Sequence, residues 1–186
     1  PEGVVGERGR GGGIARWNRG WSLSRRRFLG ELDVGRRAEA AGCPVAPAVG
    51  VVLVGAGPGF RAWSMSVYVE GARDLAVALA ELRSEEEREA LLRASLRAIA
   101  VLHRAGLHHR DLNLGNVLVR RRQPQEDWEV RIVDLDRARW LGRPLPSRMA
   151  QRVIARFDRS WRKVLGENGA VPAARRLELY RDLLAE

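Results

Sequence analysis

Asp111, Asn116 and Asp134 are the residues of this 186-residue chain whose types and spacing could do chemistry together. Asp111-x-x-x-x-Asn116 leads into the apolar run Val117 to Arg120, and Asp134 closes a second run, Val130 to Val133. If those runs pair as a hairpin, their ends bring the three side chains to one place. Such a set suits phosphoryl transfer, in which positioning and charge stabilisation do most of the work. A carboxylate must accept the proton of the acceptor hydroxyl and aim that oxygen at the γ-phosphorus, the part that suits Asp111. Separate oxygen ligands must hold magnesium against nucleotide phosphates, the part that suits Asn116 and Asp134.

The elements that would carry these residues are legible around them. Ser84 begins a helix, with Glu87 completing a capping box, and Leu91, Leu92, Leu96, Ile99 and Leu102 make its apolar stripe up to Gly106. Further upstream, a helix is expected from Ser24 to Ala41, ended by Gly42-Cys43-Pro44. Residues 45–54 and 60–69 read as two strands joined by Gly-Ala-Gly-Pro-Gly. A short helix is expected over Leu75 to Leu82, and two more helical stretches over residues 146–186. Residues 1–20, rich in glycine and arginine, read as loop; a phosphate-cradling role for Gly9 to Gly13 is a weak signal without a preceding strand.

Composition narrows the class. Hydrophobic content of 45% supports a real core, and no apolar stretch approaches a membrane span. With no basic-then-apolar secretory start, a cytoplasmic setting is the expectation. The one cysteine, Cys43, cannot form an internal disulfide and reads as a small buried hydrophobe. Net charge is +10, and Lys163 is the only lysine. An arginine-rich balance of this kind reflects either a GC-rich coding sequence or an anionic partner. Nucleic acid is disfavoured as that partner, because the six tryptophans are scattered rather than interleaved with a basic groove pattern.

His109-Arg110-Asp111-Leu112-Asn113-Leu114-Gly115-Asn116 matches the protein-kinase catalytic loop H-R-D-L-x-x-x-N position for position, and Asp134 corresponds to the aspartate of D-F-G. The resemblance implies an α+β, protein-kinase-like fold with a partial N-terminal lobe of antiparallel strands, residues 1–71. A small, mainly helical C-terminal lobe would occupy residues 72–186. His109 and Arg110 join Asp111 as expected catalytic-loop residues. Glu31 occupies the place of the helix glutamate that pairs with a strand lysine, and Met65 to Gly71 the place of the adenine-binding hinge. Glu31, Val67, Tyr68 and Val69 are therefore the expected nucleotide-binding residues, with ATP and Mg2+ as cofactors. The strand lysine is missing, since Lys163 lies downstream of the metal site.

No A-P-E follows Asp134, which points to a small or lipid-linked acceptor rather than a protein. The string from His109 to Val119, with Arg131-Ile-Val-Asp-Leu-Asp-Arg-Ala-Arg139, resembles the bacterial lipopolysaccharide core kinases, the Kdo branch more than the heptose branch. Arg10-Gly11-Gly12, the Gly42-x-Pro44 helix end, Glu70-Gly71-Ala72-Arg73-x-Leu75 and Arg159-Ser160 extend the likeness over roughly residues 8–165. Family members carry a basic residue on the strand before Arg-Gly-Gly, where this chain has Val5, Gly6 and Glu7. The resemblance implies phosphorylation of a Kdo hydroxyl on lipid A at the cytoplasmic face of the inner membrane, with Asp136 as an additional metal ligand or helper. Arg148, Arg152, Arg156 and Arg159 recur at helical spacing and would form either a contact with lipid A phosphates and an anionic membrane surface or a solvated basic face. Two other readings stay open: a kinase-fold phosphotransferase for another small molecule, such as an aminoglycoside or choline, and a truncated or degenerate pseudokinase that binds without turnover.

Overall fold

The computed structural model describes residues 4–8, 25–56, 59–121, 123, 127–167 and 169–185. The Gly9 to Gly13 run, the Arg10-Gly11-Gly12 element and the centre of the glycine-rich hairpin turn lie outside them. The first sheet has three antiparallel strands in the order β1-β3-β2: β1 Val4–Arg8, β2 Ala48–Ala56 and β3 Gly59–Val67. The hairpin of β2 and β3 falls where the two apolar runs and the glycine-rich turn place it. β1 departs from expectation: residues 4–8 form a strand rather than loop. Five residues carry too short a pattern to announce themselves; β1 is defined by pairing along β3, with Glu7 opposite Ser64 and Arg8 opposite Trp63.

Helix α1, Arg26–Ala40, crosses this sheet. Phe28 packs with Phe60 and Ala62 in a small core of its own, the two rings meeting edge to face at 6.3 Å. Its later residues, Val34 and Ala38, join the main core instead. At Gly35 the helix lies so near β2 that a Cβ would approach that of Ala48 to 2.8 Å. The connector after α1 is stitched to the second lobe. Ile132 N–H donates to the Pro44 carbonyl at 2.8 Å, and Ala46 N–H to the Ile132 carbonyl at 3.0 Å. Helix α1 and the connector after it are thus rooted in the main core, which they join through Val34, Ala38, Cys43 and Val45.

That core is built on α3, Glu85–Ala105, whose buried face carries Leu91, Leu92, Leu96, Ile99 and Leu102. Ser84 Oγ accepts from Glu87 N–H at 3.4 Å, as the capping pattern predicts. Gly106 ends the helix at φ +86°, packed so closely on Arg143 that a Cβ would come within 2.4 Å of its carbonyl oxygen. Around α3 stand α2 (Leu75–Glu81), α4 (Ser147–Leu165) and α5 (Ala173–Ala185). Short strands complete the lobe: β4 Arg73–Asp74 with β6 Val117–Arg120 and β7 Glu129–Ile132, and β5 Leu107–His108 with β8 Arg139–Trp140. Cys43 is buried, and that burial pushes its thiol pKa up, as befits a packing residue. Among the described residues no helix is long and apolar enough to cross a membrane.

Candidate active site

The hairpin β6–β7 pairs Val117 with Ile132, so the loop before β6 and the residues after β7 meet at one end. Leu112 and Leu114, both essentially without exposure, anchor the loop in the core. Its polar groups then close on themselves. The amide nitrogens of Asn113 and Asn116 both donate to the Asp111 carbonyl, at 2.9 and 3.1 Å. Asn113 Oδ1 accepts from Gly115 N–H at 2.9 Å. Because a carbonyl only accepts, Asn116 must present its nitrogen there, and Oδ1 is the atom it can offer a cation.

Val133 is gripped by this loop on both sides. Its N–H donates to the Asn116 carbonyl at 3.0 Å, and its carbonyl accepts from His109 Nε2 at 3.1 Å. His109 is 2% exposed, so its ring cannot reach an acceptor; it braces loop against strand. Burial lowers its pKa, and a neutral ring with the proton on Nε2 serves that hydrogen bond. Held so, Val133 delivers Asp134 with φ at +57°, a left-handed backbone uncommon outside glycine that aspartate adopts more readily than most side chains.

A cleft of about 280 Å³ opens between the first sheet and Asp134. Glu31, Val67, Tyr68 and Val69 all line it, with Ser64, Met65, Leu118 and Ile132. Glu31 accepts from Ser64 Oγ at 2.8 Å, which orients its carboxylate along β3. The size and largely apolar lining approach those of small-ligand clefts, of about 300 Å³ upward. Asp134 also lines the cleft, and its carboxylate, like the Asn116 Oδ1 of the neighbouring loop, is an oxygen donor of the hard kind that magnesium takes.

Two expected residues sit elsewhere. Asp136, expected beside Asp134 as a metal ligand, instead accepts from the Arg27 guanidinium of α1 through both its oxygens. It clamps helix to the segment after β7 and lines the groove beside α1 rather than the cleft. Arg110 is exposed and lines a separate groove between α1 and residues 135–141. Conversely, Asp111 has partners that no sequence pattern announces. Its Oδ1 accepts from Arg156 Nη1 at 2.8 Å, and its Oδ2 lies 3.6 Å from Arg137 Nη1. Arg156 thereby leaves the basic face of α4, whose other members Arg148, Arg152 and Arg159 are exposed. Ser160, one turn on, accepts from Leu114 N–H at 3.3 Å and ties α4 to the loop.

The family model for lipopolysaccharide kinases (Kdo/WaaP) matches residues 7–175. The chain belongs to the lipopolysaccharide kinase (Kdo/WaaP) family. A solved structure, WaaP in complex with acyl carrier protein, superposes with a TM-score of 0.64 at 23% identity, over 87% of this chain and 71% of that one. That likeness shows the kinase-like α+β fold. No curated protein matches the chain.

Proposed function

We propose that the chain is an ATP-dependent, magnesium-requiring kinase that phosphorylates a Kdo hydroxyl, or alternatively a heptose hydroxyl, of the lipopolysaccharide inner core on lipid A. The observation that supports this reading is the double grip of the His109–Asn116 loop on Val133, the residue before Asp134, with Asp134 lining a cleft that Glu31 and Val67 to Val69 also line. In the proposed reaction Asp111 accepts the proton that the acceptor hydroxyl loses as its oxygen bonds to the γ-phosphorus, while the bond from that phosphorus to the bridging oxygen breaks and ADP leaves. Asn116 Oδ1 and Asp134 hold magnesium, which neutralises phosphate charge when bound. The backbone of Val67 to Val69 receives the adenine, and the surrounding apolar side chains exclude water from it. His109 is a positioning residue, acting through Val133. Arg148, Arg152 and Arg159 face outward from α4 and would rest on the phosphates of lipid A or of the inner leaflet.

A second reading, a binding module without turnover, has one observation in its favour. β1 stands beside β3 as the strand next to Ser64 and Glu31, yet residues 4–8 contain no lysine. One experiment separates the two. The full chain is incubated with Mg–ATP labelled at the γ-position and with Kdo-lipid A. Label transferred to the lipid, and lost in Asp111→Ala, supports the kinase. Label retained in Asp111→Ala removes Asp111 as the proton acceptor, and no transfer with no thermal shift by Mg–ATP favours the binding module.

A further inference from the structure

We propose that Arg156 and Arg137 form a receptor for an acidic group of the acceptor, so that the preferred acceptor is a sugar acid whose carboxylate draws these guanidiniums away from Asp111. The proposal deepens the kinase reading and rests on it for the role of Asp111.

Both oxygens of Asp111 face a guanidinium, Arg156 Nη1 at 2.8 Å and Arg137 Nη1 at 3.6 Å. A hydroxyl that is to give its proton to Asp111 must therefore share or replace one of these partners. The contacts are of the exchangeable kind. Side-chain exposure is 40% for Asp111, 50% for Arg156 and 53% for Arg137, and ion pairs this open to water are weak. A second carboxylate arriving with the hydroxyl can replace Asp111 at the guanidinium, because arginine presents a fork of donors that suits two-point binding.

The two arginines are also held where such a group would arrive. Arg156 lies one turn before Ser160, whose hydroxyl is bonded to Leu114 N–H, so its backbone keeps station against the catalytic loop. Arg137 follows Asp136, which Arg27 pins to α1. Arg137 lines a groove with Arg110 and Arg139, and with the acidic side chains Glu31, Asp33 and Asp136, so its own charge is partly balanced there while its guanidinium still reaches Asp111. Two elements far apart in sequence thus aim cations at one catalytic carboxylate. A neutral acceptor would leave both guanidiniums on Asp111; an acidic one relieves them. Of the two inner-core sugars, Kdo carries a carboxylate and heptose does not.

The probes are the methyl glycoside of Kdo and the methyl ester of that glycoside, with the full chain, followed by calorimetric binding and by phosphorylation kinetics. The wild-type chain should bind the acid about tenfold more tightly than the ester and show a KM lower in proportion. Arg156→Gln and Arg137→Gln should each lose most of that preference, the ratio of the ester's KM to the acid's falling toward one. Arg156→Lys should keep part of it, and Lys163→Gln, exposed on the last turn of α4, all of it. Equal binding of acid and ester by the wild type would overturn the proposal. So would a preference that survives Arg156→Gln combined with Arg137→Gln. Binding that prefers the acid without any phosphate transfer would uphold the receptor and sink the kinase reading instead.

Discussion

Arg27 and Asp136 stand 109 residues apart in sequence and form a two-point ion pair, guanidinium to both carboxylate oxygens, between α1 and the segment just beyond Asp134. Glu31 lies one helical turn from Arg27, and Asp134 two residues before Asp136. The pair therefore sets the distance between the carboxylate on the first lobe and the proposed metal ligand on the second. Its side chains are 33% and 26% exposed, which makes it stronger than a fully solvated pair without the desolvation penalty of a buried one.

Breaking that pair should show in both stability and turnover. Arg27→Ala and Asp136→Ala should each lower stability by about 1 kcal/mol, with a coupling energy of about 0.5 to 1 kcal/mol in a double-mutant cycle read by urea unfolding. The KM for ATP should rise in all three variants, because α1 carries Glu31. A coupling energy of zero would show that the two side chains do not act as a unit.

Asp111→Asn should reduce kcat by about 100- to 10,000-fold, the range for loss of a general base. Its carboxylate is 40% exposed, so the melting temperature should stay within about a degree or two. A variant that keeps more than about a tenth of wild-type turnover would place the proton acceptor elsewhere.

Acid should weaken the fold in two stages. Burial keeps His109 below the usual histidine range and brings His103 down to about 4, with the neighbouring His108 adding to the effect. Histidine in the unfolded chain titrates near 6.5, so between that pH and about 4 the unfolded state binds protons that the folded state refuses. Stability must fall as pH drops through that window, by up to about 1.4 kcal/mol per pH unit for each ring. Below about pH 4.5 a second loss begins. The Glu89 carboxyl, held down to about 2 by Arg175 and then Arg93, loses its ion pairs as it gains a proton. Urea midpoints from pH 7.5 to 3.5 read both stages, and His103→Gln should shallow the first without altering the second. A midpoint that holds constant from pH 6.5 to 5 would contradict the assignment.

The outer face of α4 should carry membrane affinity. Substituting Arg148, Arg152 and Arg159 by glutamine together should weaken sedimentation with phosphatidylglycerol-containing vesicles by about 100-fold at low salt, at about 1 kcal/mol for each charge. Added salt should erase the difference within the Debye screening range. Vesicles of neutral lipid binding equally well would show that this face is only solvated.

Sequence by itself determined the parts whose signal is local. The run His109 to Asn116, the capped α3 with its apolar stripe and the β2–β3 hairpin all carry their information within a few consecutive residues, so backbone propensity and periodicity expose them. It also led to the expectation that the loop before β6 and the segment after β7 meet, because a short hairpin leaves its two ends no other relation, as the bond from Val133 N–H to the Asn116 carbonyl shows. Tertiary structure alone decided which cation meets which anion. With 33 lysine and arginine residues among 186, of which one is lysine, no pattern marks Arg27 for Asp136 or Arg156 and Arg137 for Asp111. Those choices follow from how α1 and α4 pack on the core, through contacts between residues distant in the chain. The same holds for β1, which exists by pairing with β3, and for the ion pair that ties Asp136 to Arg27. The catalytic-loop hairpin was legible; the arginines that pair with Asp111 were not, since a guanidinium on a long flexible stem takes its partner from packing rather than from its neighbours in sequence.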